Sequence, residues 1–299
     1  MPLSPTRRRL HRPALPVLAG ILLVSACGVL AGDTDPTVAT LPPPTTTAAQ
    51  VTDITGGPEC ATGDLDFVDD GVIATMGTGS ADAAAVNELR WDTELGCDRF
   101  VVGFATAGGS PASSLGPTTV ELLPGRGILR VRLPTAVVAT SLAEATVDGT
   151  VITRAVVVGL IEGSLAIDLH LDATRGVRAR SFFAGAPARL VVDVRAVGDR
   201  PLVSPPAGSF DTVVLTPRGG VAAYPLLVNG YTTAASVTVG ISEGGIPAPI
   251  EAELAGNGTP WAEFEATVAS GPIGTVELVV ESAVPDAEPR RIRILLDLQ

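Results

Sequence analysis

Leu165-Ala166-Ile167-Asp168-Leu169-His170-Leu171-Asp172 decides the class of this fold. Aliphatic residues fill 165, 167, 169 and 171, and small or polar residues fill the positions between them. On a strand, successive side chains point to opposite faces, so this period of two builds one apolar face and one polar face. The same alternation recurs in Leu129, Val131 and Leu133, with Arg130 and Arg132 on the opposite face. It recurs again in Phe100, Val102 and Phe104, and in Leu190, Val192 and Val194. Asp148-Gly149, inside Ala145-Thr146-Val147-Asp148-Gly149-Thr150-Val151, is a hairpin turn signal. One stretch reads differently: Ser80 to Trp91 is expected as a short helix capped by Ser80 or Asp82.

After a charged, proline-rich break (Asp199-Arg200-Pro201, Pro205-Pro206) the strand pattern restarts. Candidate strands are Thr212–Leu215, Pro225–Val228, Ser236–Ile241, Pro249–Leu254, Ala262–Val268, Thr275–Glu281 and Arg291–Leu298. Seven short strands in about 100 residues, spaced by ~8–12, is the sequence picture of an immunoglobulin-like sandwich. With 33 glycines and 25 prolines, long helices are hard to place anywhere. The expected architecture is therefore all-β, with two β-sandwich domains over 58–198 and 199–299.

Ahead of them stands a different kind of segment. Arg7, Arg8, Arg9 and Arg12 precede an apolar run from Ala14 to Val24, too short to span a bilayer and of signal-peptide length. It ends Leu23-Val24-Ser25-Ala26-Cys27-Gly28. That ending resembles the lipobox of bacterial lipoprotein signal peptides, which implies cleavage after 26 and diacylation (palmitate) of Cys27. Residues 27–57, with Leu41-Pro42-Pro43-Pro44-Thr45-Thr46-Thr47, read as a disordered Pro/Thr-rich tether. The expected location is the extracytoplasmic face of the cell membrane, held by the lipid anchor.

All 20 basic residues are arginine, against 32 acids. Residues 1–26 hold four of the arginines and no acid, so removing them leaves a net charge of −16. Such a surface repels nucleic acid, which is excluded as a partner. Beyond Cys27, two cysteines remain, Cys60 and Cys97, and an even pair in an exported protein is expected to form a disulfide.

Three segments of the first domain resemble the AMIN-like domain of actinobacterial lipoproteins over about 60–197. They are Cys97-Asp98-Arg99-Phe100-Val101-Val102-Gly103-Phe104, Gly127-Ile128-Leu129-Arg130-Val131-Arg132-Leu133-Pro134 and Ala188-Arg189-Leu190-Val191-Val192-Asp193-Val194. In the second domain, Leu227-Val228-Asn229-Gly230-Tyr231, Trp261-Ala262-Glu263-Phe264-Glu265-Ala266-Thr267-Val268 and Gly274-Thr275-Val276-Glu277-Leu278 stand out. These resemble the immunoglobulin-like domain of bacterial spore germination, over about 200–299. The two resemblances imply a binding or structural role in the envelope, with peptidoglycan as the ligand class associated with AMIN modules. Neither family brings a catalytic set.

The residues themselves point away from catalysis. Past position 27 the one histidine is His170, and Gly-x-Ser-x-Gly is missing. Asp168, His170 and Asp172 share a strand face, but steps of ~6.6–7 Å fit one small ion poorly, so they read as a solvated face and no metal is expected. Asp69-Asp70 and the pair Glu263 and Glu265 read as plain surface acids. Arg130, Arg132, Arg175, Arg178 and Arg180 form the candidate ligand set, able to grip carboxylates or phosphates of a wall polymer in bidentate fashion.

The expected protein is thus a non-enzymatic, membrane-anchored lipoprotein without cofactors, a binding or scaffold module at the cell wall. The alternative is an accessory subunit docking another envelope protein through the immunoglobulin-like domain. Cys27→Ala is expected to move the protein out of the membrane fraction on cell fractionation. A variant that stays membrane-bound with unchanged mass overturns the lipobox.

Overall fold

The computed structural model describes residues 60, 66–94, 96–172, 176–198, 206–209, 211–242, 248–256, 259–285 and 288–299. The signal peptide, the tether, Cys27 and Arg175 lie outside the described residues. The described chain is all β. Its one helical element among those residues is the 3₁₀ turn Pro124–Arg126, and no helix there is long and apolar enough to cross a membrane.

The first sandwich places a five-stranded sheet over part of a larger one. The five run in the order Val177–Ala184, Arg189–Ala196, Cys97–Ala105, Ala85–Glu94, Ala139–Thr140. Facing them are Gly71–Met76, Thr118–Leu123, Ile128–Arg132, Leu165–Leu171 and Ile152–Gly159, neighbours in that order. The alternating residues meet between the sheets. Phe100, Val102, Phe104, Leu190 and Val192 pack with Leu129, Val131, Leu165, Ile167 and Leu169, all nearly inaccessible to solvent.

The second sandwich is built the same way. Trp261–Val268, Leu226–Thr232, Thr212–Thr216 and Ala207–Gly208 form one layer. Gly220–Ala222, Arg290–Leu298, Gly274–Ala283, Ser236–Ser242 and Ile250–Glu251 form the other. All seven strand candidates of this half are strands, each within a few residues of its expected bounds. Phe264, Leu278, Val280, Ile294 and Leu296 lie in its core.

The two halves share a sheet. Trp261 and Ala262 pair in parallel with Val158 and Gly159, so the larger sheet of the first sandwich runs on into the second, eleven strands in all. The pairing is only two residues long. A separate apolar cluster reinforces it: Ile128, Val156, Val158, Leu160 and Ala166 from one half meet Val213, Leu215, Tyr231 and Trp261 from the other.

The expected helix at 80–91 is corrected. Ala85–Glu94 is a strand, laddered against Cys97–Ala105 from Ala85 opposite Ala105 to Glu94 opposite Cys97. Asp82 caps no helix. Its carboxylate accepts the backbone N–H groups of Ser113 (3.0 Å) and Ser114 (2.8 Å), and these bonds hold its pKa well below the usual range. Local helix propensity lost to a ladder that places Val86 in the core.

Cys60 and Cys97 form a disulfide across 37 positions, tying the start of the domain to the first residue of a central strand. On the chain-entropy model a loop of that size contributes roughly 3–4 kcal/mol. The next residue, Asp98, is completely buried on the inward face. Its carboxylate accepts N–H bonds from Thr150 (3.0 Å), Val151 (2.6 Å) and Ile152 (2.7 Å). It thereby organises the loop that joins Glu144–Thr146 to Ile152–Gly159, the antiparallel pair that Asp148-Gly149 signalled. Gly149 is required there, because a Cβ would lie 2.4 Å from Asp98 Oδ2 and 2.6 Å from the Ile152 carbonyl oxygen.

Asp98→Ala leaves three backbone donors without an acceptor, each costing about 1–3 kcal/mol. Chemical denaturation is expected to give a loss of roughly 3 kcal/mol or more. Gly149→Ala is expected to cost about 1–3 kcal/mol through overpacking. A loss under about 0.5 kcal/mol in both variants, the range of an ordinary surface substitution, contradicts this account of the loop.

Candidate functional site

Ile128, Arg130, Ala166, Asp168, His170, Arg154, Val156 and Val158 point away from the first core, on the outer face of the larger sheet. By pattern that face belongs in water. The second sandwich covers it instead, and the polar residues there are sealed in. Asp168 is wholly inaccessible, Arg130 is 1% exposed and His170 is 8% exposed. The reading of Asp168 and His170 as a solvated strand face is therefore corrected.

Arg130 and Asp168 sit opposite each other on paired strands, and the register sets their chemistry. Arg130 donates from Nε to Asp168 Oδ1 at 2.8 Å and from Nη2 to Oδ2 at 2.7 Å, a bidentate fork. Its Nη1 reaches Glu263 Oε1 of the second half at 3.4 Å. The other oxygen of Glu263 accepts the N–H of Ile161 at 3.1 Å. Burial opposes the charge on Arg130, but Asp168 and then Glu263 outweigh it and hold the guanidinium firmly protonated. Glu263 is consequently a junction residue rather than plain surface.

His170 lies one step along the same face. Its Nε2 forms a hydrogen bond with the Tyr231 hydroxyl of the second half. Tyr231 also meets Trp261 edge-on, with ring centroids 5.7 Å apart, and Arg154 stacks over Trp261 at 4.8 Å. Burial pushes the His170 pKa down to about 4, and Arg154 and Arg218 add to that against Asp168 and Glu144. Burial likewise raises Tyr231 well above 10. At neutral pH the imidazole is uncharged and the phenol keeps its proton, so the hydroxyl donates whenever Nε2 is bare.

The five candidate arginines do not gather. Arg130 and Arg132 face outward from one sheet, while Arg178 and Arg180 face outward from the other, with the core between them. Arg130 is not a ligand grip, because the junction encloses and pairs it. Nor is Arg180: its guanidinium is largely buried and joins Asp193, at 2.9 Å from Nε and 2.8 Å from Nη2. Arg99 binds the same carboxylate through Nε at 2.7 Å and Nη2 at 2.8 Å, so Asp193 lies between two guanidiniums. Arg180 and Arg195 also stack on Phe67, at 4.7 and 4.6 Å. Arg132 (with Glu162) and Arg178 (with Asp69) remain partly exposed, in surface ion pairs.

Among the described residues, three or more histidines, cysteines or carboxylates do not gather as a metal site. What sequence reasoning missed is the partner side of the junction: Glu263, Tyr231, Trp261 and Arg218. Scarcity was a usable signal, since the chain has only two tyrosines and two tryptophans. No family model, curated protein or solved structure matches this chain.

The buried imidazole makes the fold sensitive to acid. In the unfolded chain His170 takes a proton near its usual value of 6.5, whereas the folded protein resists it until about 4. The unfolded state therefore binds more protons between those values, and stability falls as pH drops from about 6.5 to about 4. The contribution is on the order of 3 kcal/mol. Denaturant midpoints measured across that window are expected to fall less steeply for His170→Gln than for the parent. Identical slopes remove His170 from the account.

Proposed function

We propose that this chain is a non-enzymatic lipoprotein of the cell envelope, anchored through Cys27, whose β body is a binding or scaffold module at the cell wall. The observation that carries the reading is the use made of the buried ionisable groups. Asp98, Asp168, Asp193, Arg130, Arg180 and His170 are each engaged by another group of the protein. A general base must reach the proton it removes. His170 is enclosed, bonded to Tyr231 and low in basicity, which argues for a rigid support over a hydrolase.

The lipobox-like ending at Cys27 and the Pro/Thr-rich stretch after it support an exported, tethered body. A net charge of −16 directs the choice of ligand toward short-range contacts rather than long-range attraction. Arg132 and Arg178 are the accessible members of the arginine set and lie on opposite outer faces, so either face serves as the grip for an anionic wall polymer.

Co-sedimentation of the detergent-solubilised full chain with purified peptidoglycan tests this. Retention is expected, and Arg132→Ser or Arg178→Ser is expected to abolish it, whichever face makes the contact. Retention unchanged in both variants takes these arginines out of the binding. No retention of the parent chain rejects the polymer as ligand.

A further inference from the structure

Arg218 brings a positive charge to the junction without a counter-charge. It follows the Thr212–Thr216 strand and donates from Nη1 to the Arg126 carbonyl oxygen at 2.7 Å, reaching the turn of the opposite half. Its Nε and Nη2 are buried and have no hydrogen-bond partner. Among the described residues, no carboxylate lies within ion-pair distance of it. The contrast with its neighbours is sharp. Arg130 has Asp168 and Glu263, and Arg154 has Glu144.

The surroundings favour an occupant. Gly127 faces the guanidinium, and a Cβ at that position would lie 2.6 Å from Nη2 and 3.5 Å from Pro206 Cδ. The absence of a side chain there leaves the Nε–Nη2 edge open toward the turn. Burial lowers the pKa of Arg218 only to about 10, so the group is charged at neutral pH. Water satisfies a donor but leaves a charge uncompensated, whereas an oxyanion does both. The Nε–Nη2 edge is a coplanar pair of donors that fits two oxygens on one centre. The residue is only partly buried, and rotamer exchange of such a side chain takes picoseconds to nanoseconds, which gives a small anion its way in.

We propose that Arg218 anchors an oxyanion site at the junction of the two sandwiches, taking a phosphate or carboxylate group on its Nε–Nη2 edge. The group bridges the halves indirectly, because Nη1 stays on Arg126 while the other edge holds the ligand. The proposal stands apart from the envelope reading, since it concerns one guanidinium and small anions alone.

Thermal unfolding of the purified full chain decides it. Sodium chloride is exchanged stepwise for sodium phosphate or sodium acetate at constant ionic strength. The parent chain and the surface control Arg132→Gln are expected to gain a saturable rise in Tm. Arg218→Met is expected to show none, and Arg218→Lys, which keeps the charge but loses the paired donors, a smaller one. In chloride alone Arg218→Met is expected to unfold at or above the parent temperature, because it removes an unpaired buried charge. A rise with phosphate only, or with acetate only, assigns the ligand class; a rise with both assigns any oxyanion of that shape. No saturable rise, or the same rise in Arg218→Met, overturns the proposal. A linear rise shared by every variant is general salt exclusion and overturns it too. Arg218→Met less stable than the parent in chloride makes the arginine a structural latch on Arg126 and rejects the site.

Discussion

The ion triad of Arg130, Asp168 and Glu263 is the constraint around which the two halves are arranged. Two of its members come from neighbouring strands of the first sandwich and the third from the second. A buried ion pair adds little net stability over a well-packed apolar replacement, yet losing one partner costs about 3–5 kcal/mol. Its effect is therefore selective. Any seating of the second sandwich that withdraws Glu263 takes away part of the charge that keeps Arg130 paired inside the protein. The two-residue strand pairing of Trp261 and Ala262 is too short to define that seating alone. Apolar packing around Tyr231 and Trp261 supplies the area, and the triad supplies the register.

The same device recurs inside the first sandwich. Asp193 lies between Arg99 and Arg180, on three adjacent strands whose register places all three side chains in one row. Asp98 does for a loop what Asp193 does for a sheet, accepting three successive backbone donors. With the disulfide beginning one residue earlier, the 97–99 stretch holds a covalent tie, a loop clip and an ion pair in sequence. A chain with only 4% aromatic residues compensates for modest ring packing with such fixed polar contacts. The resulting body is rigid and keeps its buried charges for internal use, as a display module requires. Arg218 is the departure from that pattern, and the departure is what marks it.

Much of the fold was legible in residues 165–171 and their counterparts. A period of two needs no partner to be read, because the backbone alone sends alternate side chains to opposite faces. The strands of the second half followed from the same rule, and the even cysteine count led to the disulfide. Ser80 to Trp91 misled because alanine-rich sequence and a capping residue are local signals, and a ladder to Cys97–Ala105 is not. The arginine set misled for a related reason. Alternation places Arg130 and Arg132 on one face, but it says nothing of what covers that face.

The sequence by itself determined the all-β class, the strand positions and which side of each strand is apolar, since these follow from composition and spacing along the chain. Only the tertiary structure decided that the polar side of 165–171 is an interior. Residues 213–263 fold back over it, turning an apparent surface row into a sealed network of Arg130, Asp168 and His170. The physical reason is that burial and pairing belong to two segments at once. Asp168 lies 38 positions from Arg130, and Tyr231 lies 61 from His170, so no local pattern in either segment carries the contact.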